Sequence, residues 1–251
     1  MTLFTLTESS CTRPCAQQSW RKMNKNILVL IQLICTASLL NAQSIVGAWQ
    51  IRNAGEAKSD AVITFLANGF YTMAEDGNSK ADLSGKDGME RGTYRWNPKT
   101  KAFTRQTIVD TSGEWGLSDS VINSANVTPT KLTLSASDGK FTLTRVSSKG
   151  ILGSWYLKEG KGYAVVTFLA DGTYFMVQDG RAEEGGKTGM ERGTYKWNPV
   201  THAFTRKILV DTNGTWGFSD SGKLSITVSG NKLIVTDARD KATLQRVIAP
   251  E

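Results

Sequence analysis

The sequence predicts an all-β protein of two tandem antiparallel meander barrels, each with about eight or nine short strands. Three observations predict it: an internal repeat, hairpin signals at regular spacing, and period-2 apolar patterns with no convincing 3.6-residue period. All 24 glycines lie after Ala42, which fits a turn-rich chain.

The first element reads as an address. Ile27 to Leu40 form a 14-residue apolar run preceded by Arg21, Lys22 and Lys25 and followed by Asn41-Ala42-Gln43. A basic flank, a short apolar core and a small residue before a polar one form the layout of a secretory signal peptide. Residues 1–42 are therefore expected to be removed, leaving a secreted or periplasmic protein that starts near Gln43. Met23 makes a more ordinary signal-peptide start than Met1. A membrane span needs ~20 apolar residues, so no stable membrane insertion of the mature protein is expected. All three cysteines, Cys11, Cys15 and Cys35, fall in this segment, so neither repeat carries a disulfide or a thiol nucleophile. Beyond it stand 26 basic and 22 acidic groups without a Lys/Arg cluster, and a nucleic-acid partner is not expected.

The rest of the chain is one unit written twice, at 44–147 and 151–248, joined by Ser147-Ser148-Lys149-Gly150. Gly88–Ser120 aligns without gaps to Gly189–Ser221, with 24 of 33 positions identical. Each unit has the size of an independent domain, and each is expected to fold autonomously. The first strand of each holds Gly47-Ala48-Trp49 or Gly153-Ser154-Trp155. Asn68-Gly69 and Asp171-Gly172, set between apolar runs, mark tight hairpins. In Glu90–Trp96, Gly92, Tyr94 and Trp96 share one face, opposite Arg91, Thr93 and Arg95. Asn97-Pro98 and Asn198-Pro199 end that strand, because proline cannot donate to a central ladder. Ser229-Gly230-Asn231-Lys232 separates a later strand pair, and the last strands place Leu143 with Arg145 and Leu244 with Arg246.

A Gly-x-Trp opening the first strand, a run of hairpins and an Arg near the end of the last strand resemble the lipocalin-like (calycin) β-barrels. Gly47, Trp49 and Arg145 carry the resemblance in the first unit, and Gly153, Trp155 and Arg246 in the second. The resemblance implies that the Trp closes one barrel end and that the Arg packs across it, as a structural pair.

Candidate sites follow from matched residues. The ligand-binding candidates are Tyr94, Trp96 and Trp115, with Tyr195, Trp197 and Trp216, rings that either line a pocket or fill the core. The shared carboxylates Glu90/Glu191, Asp110/Asp211 and Asp119/Asp220 sit among Arg, Ser and turn residues and read as solvated. Asp110-Thr111-Ser112-Gly113 lacks the further ligands of an EF-hand and reads as a turn. His202 corresponds to Lys101, so no site shared by both units uses histidine. No dinucleotide or P-loop fingerprint is present, and no cofactor, metal or catalytic activity is expected. The reading is a binding protein for a small, partly apolar or aromatic ligand. A carbohydrate-binding or adhesive surface module for a glycan, and a structural envelope protein without a ligand, are the alternatives.

Overall fold

The computed structural model describes residues 44–51, 61–77, 86–113, 116–137, 139–159, 162–180, 187–214 and 216–250. The apolar run Ile27–Leu40 and the expected cleavage point lie outside the described residues, as does Trp115.

Two eight-stranded antiparallel sheets follow one another along the chain. The first takes β1 (Gly47–Ile51), β2 (Ala61–Phe65), β3 (Phe70–Glu75), β4 (Gly88–Trp96), β5 (Phe103–Asp110), β6 (Ile122–Val127), β7 (Lys131–Ala136) and β8 (Lys140–Arg145). The second repeats them as β9 (Gly153–Glu159), β10 (Gly162–Phe168), β11 (Thr173–Gln178), β12 (Gly189–Trp197), β13 (Ala203–Asp211), β14 (Leu224–Ser229), β15 (Lys232–Thr236) and β16 (Lys241–Arg246). Each is a meander in which the first strand also pairs with the last. The second closes fully, β13 pairing with β14. In the first, β5 and β6 meet through the single bridge Ala102–Ser124, which leaves it nearly closed.

Local chemistry fixes these strands. Asn97 and Asn198 side chains accept backbone N–H bonds from the two turn residues after the proline, and Lys101 and His202 take left-handed φ values of 64° and 59° there. His202 is thus a turn residue. Gly92 sits opposite a β-bulge on β5, where an added Cβ would lie 2.2 Å from the Gln106 carbonyl oxygen. Glycine alone lets the strands approach that closely.

One end of each barrel is plugged by an indole. Trp49 is fully buried and donates from Nε1 to the Ile45 carbonyl at 2.8 Å. The Arg145 guanidinium lies 3.9 Å from the indole centre and donates to the carbonyls of Val46 (3.0 Å) and Ser44 (2.6 Å). Trp155 and Arg246 repeat the arrangement, again at 3.9 Å, with bonds to Leu152 and Gly150. Such a contact contributes ~0.5–2 kcal/mol beyond the packing of the Arg stem.

The two barrels share a buried face. Ala48, Val62, Ala74, Met89 and Val146 of the first pack against Leu169, Phe175, Val177 and Met190 of the second. Arg91 bonds Asp179, and the equivalent Arg192 bonds Asp76. Thr64 and Thr167 both bond the Ser154 hydroxyl, at 2.8 and 2.6 Å. The paired contacts relate the two units by a pseudo-twofold, as in an isologous dimer. This explains why β2, β3 and β11 are almost wholly buried while β7 and β15 are not: the former have a core on one face and a neighbour on the other.

Residues 151–251 alone therefore keep every strand of their own barrel but uncover Leu169, Phe175, Val177 and Met190. The expected result is a folded unit that self-associates through this face, with a sedimentation coefficient that rises with concentration. A strict monomer at high concentration would mean that the apolar face tolerates water.

Candidate functional site

The most identical stretch of the repeat builds one device in each barrel. It starts on β4, where period 2 places Glu90 on the same inward face as Gly92, Tyr94 and Trp96. Glu90 and Glu191 are fully buried, not solvated as the sequence neighbours suggested. The Oε1 of Glu90 accepts bonds from the Ser118 N–H and hydroxyl, both 3.1 Å, and its Oε2 accepts the Tyr71 hydroxyl at 3.1 Å. Glu191 accepts the Ser219 N–H at 2.7 Å and the Tyr174 hydroxyl. Ser118 and Ser219 belong to the connections between β5 and β6 and between β13 and β14. The buried acid therefore pins a lid segment from beneath.

Two further features fix that lid. Gly116 (φ 135°) passes so close that an added Cβ would lie 1.8 Å from the Glu90 Oε1. Its equivalent Gly217 (φ 98°) crosses Glu191 and Met176 in the same way. Arg105 donates to the Ser120 carbonyl at 2.8 Å, and Arg206 spreads its donors over the carbonyls of Phe218, Ser221 and Gly222. A guanidinium saturates several lid carbonyls at once because its donors form a fixed fork.

Burial dominates the acid's chemistry. It pushes the Glu90 carboxyl up to about 7, with the nearby Asp110 charge adding to the rise and the Ser118 and Tyr71 bonds opposing it. Glu191 is raised by the same desolvation. Tyr71 and Tyr174 are held well above the usual phenol range, by burial and then by the neighbouring glutamate. A phenol so disfavoured as an anion acts here as a hydrogen-bond donor. Oxygens of Glu90, Asp110 and Asp119 come within 4.8 Å of one another, a spacing a hard cation tolerates. The oxygens of Glu90 are met by a phenol, a backbone N–H and a hydroxyl, so the acid is satisfied within the protein.

Each lid closes over a cavity at the end opposite the Trp–Arg plug. In the second barrel it measures about 460 Å³. Leu157, Val166, Met176 and Leu244 form its walls, Trp216 and Phe218 of the lid its cover, and Asp220, Asp237 and Arg239 its rim. Arg239 lies 3.6 Å from Asp220 and 3.8 Å from Asp237. The first barrel encloses about 360 Å³ between Ile51, Ile63, Met73 and Leu143, under Leu117.

The predicted ring residues divide between the two barrel ends. Trp216 covers the cavity; Tyr94, Trp96, Tyr195 and Trp197 are not among the residues lining either cavity. They pack toward the plugged ends, with hydroxyl or indole bonds to the carbonyls of Leu66, Ala125, Leu169 and Ile226 at 2.8–2.9 Å. Burial raises the Tyr94 and Tyr195 hydroxyls to about 12. Tyr94 stands edge-on to Phe65 at 4.8 Å, and Tyr195 edge-on to Phe168 at 5.0 Å. Period 2 identifies the inward face but not the height along the barrel axis, which is why the four rings and Trp216 looked like one wall. The aliphatic cavity wall drew no attention in the sequence because its residues read as ordinary core. No protein-family model, curated protein or solved structure matches this chain.

Proposed function

We propose that this is a secreted or periplasmic, non-catalytic binding protein built from two lipocalin-like barrels, with a small, partly apolar ligand held in the second. The observation that carries the reading is the cavity of about 460 Å³, aliphatic within and rimmed by Asp220, Asp237 and Arg239. That volume lies in the range of small-molecule sites, which join apolar walls to a few orienting polar groups. Apolar burial drives such binding at ~25 cal/mol per Å², before association costs. The plug residues Trp49/Arg145 and Trp155/Arg246 favour the lipocalin-like reading. A glycan-binding or adhesive surface would need its rings on an outer sheet face, whereas Tyr94, Trp96, Tyr195 and Trp197 pack against the cores.

Tryptophan emission tests the proposal. An apolar probe such as decan-1-ol is expected to shift the emission of the intact protein to the blue. Trp216→Phe should remove most of that shift, and Trp197→Phe, at the plugged end, should leave it. Loss of the response in Trp197→Phe but not in Trp216→Phe would place binding away from the cavity. No response to any apolar probe would leave the structural reading.

A further inference from the structure

The two cavities differ in where one aromatic ring stands. β8 and β16 align residue for residue, and Phe141 of the first occupies the place of Ala242 in the second. Their cross-strand partners follow the same trend, Leu134 opposite Phe141 and Val235 opposite Ala242. All four line their respective cavities. On the lid the exchange runs the other way. Leu117 of the first barrel becomes Phe218 in the second, whose ring stacks on Phe168 at 6.1 Å and meets Tyr174 edge-on at 5.4 Å. Phe218 is thus anchored in the core, at 6% exposure, while Phe141 stands at its rim with 43% of its surface in water. The second barrel carries its ring in the lid, and at its β15–β16 mouth only the Ala242 methyl. The first has a ring at the mouth.

We propose that position 141/242 is the specificity-determining gate of these barrels: Ala242 admits a slender apolar chain to the second cavity, and Phe141 excludes it from the first. The inference rests on the cavity reading above. A chain entering the first barrel has to displace the Phe141 ring, which stands across the strands from Leu134 and lines the cavity, and that displacement costs part of the apolar contact the ligand would gain. A chain entering the second passes the Trp216 cover, the Ala242 methyl and the Val235 edge, then meets the aliphatic wall of Leu157, Val166 and Leu244. The acidic rim of Asp220 and Asp237, bridged by Arg239, leaves the polar head of such a molecule at the mouth.

Calorimetric titration of the intact protein with decan-1-ol, read together with methyl NMR of Met73 and Met176, tests the gate. Wild-type protein is expected to take up one equivalent, shifting the Met176 methyl and not that of Met73. Ala242→Phe should weaken this site by about tenfold or more, and Phe141→Ala should add a second site that shifts Met73. The double variant should move binding from Met176 to Met73. Each substitution places at one rim the residue that the sister barrel already carries there, and the Phe141→Ala arm decides alone if Ala242→Phe fails to fold. Undiminished affinity in Ala242→Phe, or a wild-type Met73 response equal to that of Met176, overturns the gate while cavity binding stands. Silence of wild type and both variants toward the probe overturns the cavity reading itself.

Discussion

Asp179→Ala is expected to cost about 3–5 kcal/mol of stability, because it takes a buried carboxylate away from the Arg91 guanidinium in a closed interface. The side chains of Arg91 and Asp179 are 5% and 1% exposed, and they join the two barrels across the pseudo-twofold. Removing the carboxylate leaves a buried charge without this counterion. Replacing both partners together, as Arg91→Met with Asp179→Leu, should cost much less, since a desolvated ion pair contributes little net energy relative to apolar packing. Denaturant unfolding followed by tryptophan emission gives both values. Equal losses in the single and double variants would mean that the pair is not coupled. The pair Arg192–Asp76 is somewhat less enclosed, at 10% and 14%, so Asp76→Ala should cost less than Asp179→Ala.

The second large effect concerns pH. Glu90 titrates at about 7 in the folded protein against 4.5 in an exposed chain, so the fold favours its protonated form. Its contribution is complete below pH ~4.5 and is lost as pH rises through 7, where the buried carboxyl must ionise. The difference amounts to roughly 3 kcal/mol between pH 4 and pH 8. The groups facing it are Tyr71, Asp110, Ser118, Asp119 and, through Tyr71, Arg105; the Asp110 charge adds to the rise. Glu90→Gln keeps an acceptor for the Ser118 N–H and carries no proton to lose. The variant is expected to be more stable than wild type at pH 8 and to show a flatter stability profile from pH 5 to pH 8. A wild-type profile that climbs over that range would contradict the burial argument.

Much of the fold was legible because β-structure writes itself locally. Asn68-Gly69, Asp171-Gly172 and the Asn-Pro turns each impose a reversal through their own backbone chemistry. The lid was less legible. Glu90 shares parity with Tyr94 and Trp96, yet its neighbour Arg91 suggested a solvated pair. Arg91 instead points outward, to Asp179 of the other barrel. The inter-barrel face left a signal that went unread: Val62-Ile63-Thr64-Phe65-Leu66 and Val165-Val166-Thr167-Phe168-Leu169 are continuous apolar-rich runs, where a strand wet on one face would alternate. The division between plug and cavity could not be read at all. It depends on where each residue falls along the barrel axis, which follows from strand register and not from parity.

Ser147-Ser148-Lys149-Gly150 has a consequence for how the molecule can diversify. Two separate copies meeting through this face would assemble only as their concentration allowed, whereas a tether of four residues makes the encounter intramolecular and holds the partner at high effective concentration. Pairing no longer limits the lifetime of the assembly at dilution. The tether also removes a genetic constraint. In a symmetric dimer of one repeated chain, any substitution at one mouth is copied at the other. Here the phenyl at 141 and the methyl at 242 are encoded independently, so one barrel can retain an arrangement while its twin acquires another.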